Sequence, residues 1–240
     1  MINYALLSVR NHPLFDVFFN ELKARNTLPK AVIFDKKNLT AEEIERYCDR
    51  TGERKEKLYF FEDTKYHVQI FDVENHNNDE TLKIIRDCNI DFFVNGGTPR
   101  ILKKELIDKT KFGVLNCHPG ILPFFKGCSC VEWALFHDQP VGNSIHWMDK
   151  GIDSGPIVKK KITKCHALDN YQDIRKRVYL DGVKLLAELI EKITKSTLDV
   201  IEEEYKGEII SGGNYYKPID EEALNIVKNK LINKKYKFQS

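Results

Sequence analysis

The sequence lacks the features that mark secreted or membrane-bound proteins. The apolar run near its N-terminus, at residues 2–9, is far shorter than the roughly 20 residues that a membrane-spanning helix needs. No positively charged segment precedes this run, and no small-residue cleavage site follows it, so we expect no secretory signal. These absences predict a soluble, cytoplasmic protein with no membrane partner.

The cysteines also lack the spacing of a metal site or a disulfide framework. None of the 6 cysteines forms a C-x-x-C pair, and the close pair Cys128 and Cys130 has no second pair to complete a zinc site. An even number of cysteines in a chain of 240 residues is weak support for disulfides. We therefore expect free thiols and no bound metal.

Two nucleotide-binding motifs and a strong charge are missing as well. The chain contains neither G-x-G-x-x-G nor G-x-x-x-x-G-K-[ST], so it carries the signature of neither a dinucleotide-binding loop nor a P-loop. Lys and Arg number 38 against 36 Asp and Glu, which is not the charge of a dedicated nucleic-acid binder. The lysine-rich tail at residues 228–237 is more simply a solvated helix end than an RNA-binding element, so we expect no nucleic-acid partner.

The apolar segments that are present are typical of an α/β protein. Strands are predicted at residues 2–9, 31–34, 68–73, 91–94, 113–116 and 143–148, and helices begin near Pro13, Thr40, Thr81 and Ser129. Short apolar strands with intervening helices favour βαβ units and a mostly parallel sheet. We predict a Rossmann-like, mostly parallel sheet flanked by helices, with binding sites at the carboxyl ends of its strands.

The sequence changes character after a long amphipathic helix, which is predicted from a cap at Asp169 to about Lys195. Residues 209–216, IISGGNYY, have the pattern of a β-hairpin, and a last helix follows at residues 221–232. We therefore divide the chain into a main domain at residues 1–195 and a small hairpin-plus-helix element at residues 196–240. An isolated hairpin is marginal in water, so we expect this element to form a homodimer contact.

Residues 114–123, VLNCHPGILP, are the most informative segment for chemistry. Side chains alternate along a strand, so Asn116 and His118 point to the same face, and Pro119 ends the strand. An amide N–H can stabilise a developing oxyanion, and an imidazole can move a proton near pH 7. On these residues alone, an Asn and a His that only bond to nearby loop backbone are an equally good interpretation.

A second polar segment favours the catalytic interpretation. Residues 143–148 alternate as a strand and lead into DKGIDSGP at residues 149–156. Strand, helix and strand form one crossover, so the loop that carries Asp153 can return beside His118. A carboxylate there would orient the imidazole and stabilise its charged form.

The N-x-H-P motif at residues 116–119, the Leu-Pro that follows it and the G-I-D-x-G-P at residues 151–156 resemble the formyltetrahydrofolate-dependent formyltransferases. The resemblance is strong over residues 90–165 and weaker before them. Asn116, His118 and Asp153 occupy the positions of that family's catalytic Asn, His and Asp, while Gly120 replaces a usual serine. The resemblance implies metal-free transfer of a formyl group from 10-formyltetrahydrofolate to an amine, with residues 1–195 as the catalytic domain.

The resemblance also implies which residues bind the two substrates. The folate would be bound by Gly96, Gly97, Arg100, Ile101, Leu102, Met148, Asp149 and Ile152. The acceptor would be bound by Arg10, Asn11, Lys126, Gly127, Tyr215 and Tyr216. Simpler alternatives are core packing for the aliphatic residues, surface cations for the lysine and Arg100, a solvent-facing turn at residues 8–12, and hairpin packing for the tyrosines.

Three classes of formyl acceptor occur in that family. Initiator-tRNA enzymes carry a sizeable basic C-terminal domain, for which the roughly 45 residues after the long helix are too few, and glycinamide ribonucleotide enzymes usually end soon after that helix. The run KGCSCVEWA at residues 126–134 and the paired tyrosines resemble the sugar N-formyltransferases. Their common acceptor is dTDP-4-amino-4,6-dideoxyglucose, a nucleotide-linked amino sugar used in O-antigen and lipopolysaccharide synthesis.

A non-catalytic folate or nucleotide-sugar binding protein is the alternative from another class. Such a protein would have no need for an oxyanion donor or a proton carrier. The intact Asn116, His118 and Asp153 therefore argue against this alternative.

Overall fold

The structure is a computed structural model that describes residues 2–53 and 67–240. Its strands are β1 (Tyr4–Ser8), β2 (Ala31–Asp35), β3 (Gln69–Val73), β4 (Phe92–Asn95), β5 (Val114–His118), β6 (Phe125–Gly127), β7 (Gly142–Trp147), β8 (Ile157–Ile162) and β9 (Asn214–Tyr216). Its helices are α1 (Phe15–Ala24), α2 (Ala41–Thr51), α3 (Asp79–Asp87), α4 (Lys104–Ile107), α5 (Cys130–Phe136), α6 (Tyr171–Lys195), α7 (Leu198–Glu204) and α8 (Glu221–Ile232).

A seven-stranded sheet in the order β3-β2-β1-β4-β5-β7-β8 forms the centre of the fold. The strands from β3 to β5 run parallel, whereas β7 is antiparallel to β5 and β8 is antiparallel to β7. The predicted mostly parallel, helix-flanked sheet is therefore confirmed. Every residue of β1 and β2 is buried, because helices cover both faces of the sheet.

Two core clusters lie on opposite faces of this sheet, as the alternation of side chains along a strand requires. On one face Leu6 and Leu115 pack with residues of α1 and α6, including Phe18 and Leu186. On the other face alternate strand residues pack with α3 and α4, and Val114 belongs to this cluster. Asn116 and His118 follow Val114 at two-residue steps. Their side chains therefore point to the same face of the sheet as this second cluster, nearer the carboxyl end of β5.

Local capping signals place two of the helices. Thr40 accepts a hydrogen bond from the backbone N–H of Glu43, and the Glu43 carboxylate accepts from the backbone N–H of Thr40, so α2 begins with the predicted capping box. The cap of α6 was predicted one residue too early. Asn170 caps this helix, while the Asp169 carboxylate forms an ion pair with Arg177.

The predicted hairpin at residues 209–216 is wrong. Residues 209–213 form no strand, and β9 instead pairs in parallel with β6 of the same chain. Tyr216 stacks on Phe125 and Trp133, with ring centroids 5.3 and 5.5 Å apart. The surface that this segment needs is therefore supplied within the chain, because aromatic stacking and strand pairing on β6 replace a local turn.

Among residues 2–53 and 67–240, the structure contains no helix that is both long enough and apolar enough to cross a bilayer.

Candidate active site

The three residues of the two motifs meet where β5 ends. The Nδ1 atom of His118 lies 3.3 Å from Oδ2 of Asp153, and both groups are largely buried. Asp153 reaches this place because the loop between β7 and β8 folds back over the sheet, even though β7 runs antiparallel to β5. Its φ of 50° lies in the left-handed region that non-glycine residues rarely adopt.

The two ring nitrogens of His118 have different partners: Nε2 faces a backbone carbonyl, and Nδ1 faces Asp153. Its Nε2 lies 2.8 Å from the Phe125 carbonyl oxygen, which can only accept, so Nε2 carries the proton. Burial lowers the pKa of His118, and the charge of Asp153 acts in the opposite direction. The ring is therefore neutral near pH 7 and can take up a proton at Nδ1, where the carboxylate stabilises the charge.

Two neighbours hold Asp153 in its ionised form. Burial alone would raise the pKa of this carboxyl group, but His118 and the Gly127 N–H act to bring the pKa below its ordinary value. The Gly127 N–H donates to Oδ2 at 2.8 Å, and Nε2 of His146 lies 3.6 Å from Oδ1. Asp153 is therefore a negative charge fixed beside His118.

Asn116 lies in the wall of an open space. A cavity of about 250 Å³ opens at this end of the sheet, and its lining includes Asn116, Cys117, His12, Asn95, Gly97 and Tyr179. Gly97 has a φ of 100°, and a Cβ atom there would overlap the His12 ring, so glycine keeps this wall open. An amide donor is thus presented to a ligand-sized space.

In the predicted folate loop after β4, some residues face the cavity or solvent, and others are bonded or buried within the protein. Gly96 and Gly97 line the cavity. The Arg100 guanidinium forms two hydrogen bonds to Asp35, and Leu102 is buried in the core. Ile101 is 79% exposed, so its side chain is available to a ligand.

The residues of the predicted opposite wall of the folate pocket also differ in how far they are exposed. Met148 packs against the core cluster under β4 and β5, and Asp149 accepts hydrogen bonds from Gly151 N–H and Ser154 Oγ. Asp149 therefore shapes the loop that carries Asp153. Ile152 is 49% exposed and offers the apolar contact that a folate ring would need. Folate binding by these residues stays a prediction.

Both residues that were expected to hold the acceptor near β1 have partners within the protein. Arg10 forms two hydrogen bonds of 2.7 Å to Asp72 and lies over the Phe34 ring. Asn11 donates to and accepts from the backbone of Leu39. A phosphate would have to share Arg10 with the Asp72 carboxylate. In the structure, both side chains stabilise contacts between loops.

The remaining predicted acceptor residues lie on the β6-β9 pair. Lys126 is paired with Tyr215 and Gly127 with Tyr216 in the register of these strands. Lys126 Nζ donates to the Gly212 carbonyl, and Tyr215 is 55% exposed. Because Gly127 also donates to Asp153, this strand pair borders the candidate site.

Two further residues, Asn95 and His146, hold the Asn116 amide in place. Asn95 Nδ2 donates to Asn116 Oδ1 at 3.0 Å, and Asn116 Nδ2 lies 3.0 Å from His146 Nε2. A signal for the first contact was present, because Asn95 ends a strand that a parallel sheet could place beside β5. The described residues bring together no group of His, Cys, Asp and Glu that could hold a metal ion.

The sequence also matches a known protein family. Residues 19–190 match the protein family described as Formyl transferase. The chain belongs to the formyl transferase family. The match covers both motifs and strands β2 to β8, so the predicted membership of a formyltransferase family is confirmed.

Relatives of this formyl transferase have different acceptors. A methionyl-tRNA formyltransferase of Trichodesmium erythraeum (strain IMS101) is 33% identical over 125 residues, which are 52% of this chain and 37% of the relative. The chain spans about half or less of the length of the curated relatives that it matches.

Two solved structures share the fold at lower identity. A sugar N-formyltransferase from Shewanella sp. FDAARGOS_354 aligns with a TM-score of 0.62 and 19% identity, covering 91% of this chain and 77% of that chain. Glycinamide ribonucleotide transformylase 1 from Symbiobacterium toebii aligns with a TM-score of 0.59 and 18% identity, covering 92% and 95%. At these identities the likeness concerns the fold and does not choose the acceptor.

Proposed function

We propose that this formyl transferase moves the formyl group of 10-formyltetrahydrofolate to the free amine of a nucleotide-linked deoxy amino sugar, with dTDP-4-amino-4,6-dideoxyglucose as the first candidate. The observation that carries the proposal is the meeting of Asn116, His118 and Asp153 beside an open cavity. An amide donor, a neutral imidazole and a fixed carboxylate are the groups that attack by an amine on a formyl carbon requires.

The reaction has one bond made, one bond broken and one proton moved. The acceptor amine attacks the formyl carbon, and the Asn116 amide donates a hydrogen bond to the oxyanion that develops. The proton lost by the amine is taken up at the His118–Asp153 pair, whose Nδ1 site lies next to the carboxylate. The same proton then goes to the departing folate nitrogen as the carbon–nitrogen bond to the folate breaks.

The position of the C-terminal segment supports a sugar acceptor. The β6-β9 pair brings Tyr215 and Tyr216 to the strand whose Gly127 bonds to Asp153. An exposed aromatic ring at the border of the site suits a nucleotide base, since base–aromatic stacking is favourable. Tyr215 is the exposed member, and Tyr216 anchors the strand through its stacked ring.

A substrate panel tests the proposal. The full chain is mixed with 10-formyltetrahydrofolate and, in turn, the dTDP-4-amino sugar, glycinamide ribonucleotide and initiator methionyl-tRNA, and tetrahydrofolate release is followed by absorbance. We expect release with the sugar nucleotide, with the formylated sugar detected by mass spectrometry. Transfer to either other acceptor without transfer to the sugar would overturn the sugar assignment, and binding without any turnover would identify a binding protein. Asn116→Ala is the matched inactive control.

A further inference from the structure

We propose that Asn95 is a positioning residue that fixes which edge of the Asn116 amide faces the reacting formyl group. The proposal rests on the proposed function of Asn116 as the oxyanion donor. It concerns a chain of hydrogen bonds that begins at a backbone turn after β4 and ends at the backbone of β7. The direction of each bond in this chain follows from the one before it.

The first link is set by two backbone groups. The side-chain oxygen of Asn95 accepts from the N–H of Gly97 at 3.0 Å and from the N–H of Thr98 at 3.1 Å. Backbone N–H groups can only donate, so the oxygen of this amide must face the turn. An asparagine that bonds to the backbone two and three residues later is a common turn arrangement.

The second link transmits this direction to the catalytic amide. With its oxygen facing the turn, Asn95 presents its NH₂ group to β5, and Nδ2 donates to Oδ1 of Asn116 at 3.0 Å. The reach is short because β4 and β5 are neighbours, with Val94 opposite Leu115. Asn116 must therefore place its own nitrogen on the other edge.

The third link uses one of the two hydrogens on that nitrogen. Asn116 Nδ2 lies 3.0 Å from His146 Nε2, which must accept because an amide NH₂ cannot. The ring proton of His146 is then on Nδ1, which donates to the Trp147 carbonyl at 3.1 Å. One N–H of Asn116 is left for a ligand, and Asn116 lines the cavity.

A reversed amide would oppose the reaction. If Asn116 turned over, its oxygen would take the place of its nitrogen and would repel the oxyanion that it is proposed to bind. Loss of an oxyanion donor slows comparable reactions by about 100- to 1000-fold. Asn95 selects the productive orientation, although it need not touch the substrate itself.

Asn95→Asp tests this role with a nearly isosteric change. The introduced carboxylate still accepts from Gly97 and Thr98, but it has no N–H for Asn116, so the Asn116 amide turns to donate to it. We expect kcat to fall by about tenfold or more with KM within about twofold, since ground-state contacts are kept. Asn95→Ser, which keeps a neutral acceptor for the turn, should show a fall of the same kind and so separate orientation from added charge.

A second readout does not depend on activity. Nitrogen NMR of the His146 ring reports which nitrogen carries the proton: Nδ1 in the unaltered chain and Nε2 in Asn95→Asp, where the Asn116 oxygen now faces the ring. Asn78→Asp is the matched control, because the side-chain oxygen of Asn78 also accepts a backbone N–H three residues later, that of Thr81, at the start of α3. It should leave kcat and the His146 proton unchanged.

The outcomes separate the two proposals. A fall in kcat together with a moved ring proton supports the role of Asn95. A fall in kcat with the proton still on Nδ1, or a moved proton with normal kcat, overturns it. If the unaltered chain transfers no formyl group, the proposed function fails, while the NMR comparison still decides whether Asn95 sets the amide direction.

Discussion

The backbone N–H of Gly127 donates to the carboxylate of Asp153 at 2.8 Å, which joins β6 to the loop between β7 and β8. Gly127 lies on β6, and β9 pairs with this strand after nearly ninety intervening residues. The position of the Asp153 carboxylate thus depends on a strand pair that is distant from it in sequence.

Gly127→Ala should damage both stability and turnover. The residue has a φ of 89°, and a Cβ atom would lie 2.5 Å from the Tyr216 carbonyl and 2.7 Å from the Tyr215 ring. We expect unfolding to become easier by about 1–3 kcal/mol, because both the backbone angle and the close packing oppose a side chain. We also expect a lower kcat as the N–H moves away from Asp153. Denaturant unfolding and steady-state rates measure the two effects.

Gly212→Ala is the matched control for that change. Gly212 has a similar φ of 93°, but nothing lies within 4 Å of the added atom. The added side chain strains the backbone at this φ but meets no neighbouring atom. The loss of stability should therefore be smaller, and kcat should stay close to that of the unaltered chain. Equal losses in the two variants would show that the contact with β9 is unimportant.

Asp153→Asn should move the acidic limb of the pH–rate profile to lower pH. Burial lowers the pKa of His118 from 6.5, and the Asp153 charge partly offsets that effect. A neutral amide removes the offset, so the pKa falls further and the neutral, proton-accepting form of His118 persists to lower pH. The maximal rate should also fall, since the charge that stabilises protonated His118 is lost. A limb that moves upward, or does not move, would show that His118 is not the titrating group.

Homodimer formation through residues 196–240 also stays a prediction. The predicted hairpin needed a partner surface, but Tyr216 finds such a surface on Phe125 of its own chain. Exposed apolar side chains remain on this element, including Ile209 at 74% and Ile232 at 72%. Light scattering of the full chain at micromolar concentration should give twice the mass of one chain, and a monomer would contradict the prediction.

Local signals explain which features could be predicted from the sequence. The capping box of Thr40 and Glu43 operates within four residues, and strand alternation alone puts Asn116 and His118 on one face. The edge strand β8 was missed because its sequence, IVKKKI, is lysine-rich and half of its residues are exposed. Such strands lack the apolar run that reveals a buried strand.

The features that could not be predicted depend on contacts between distant residues. Arg10 and Arg100 find carboxylates 62 and 65 residues away, which no local pattern indicates. The Asn95–Asn116 bond requires the β4-β5 register, and the hairpin failed because β9 prefers the distant β6 to a local partner. Sequence patterns thus singled out three residues that the structure brings together, but they did not indicate the groups that hold those residues in place.

The most direct test of the central claim is the rate of tetrahydrofolate formation by the full chain and its single-residue variants. With 10-formyltetrahydrofolate and the amino-sugar nucleotide, Asn116→Ala, His118→Ala and Asp153→Ala should each lower kcat by at least about a hundredfold, while circular dichroism shows the same fold. Such losses would assign the chemistry to the end of β5. If His118→Ala released tetrahydrofolate at a near-normal rate, the reaction centre would lie elsewhere.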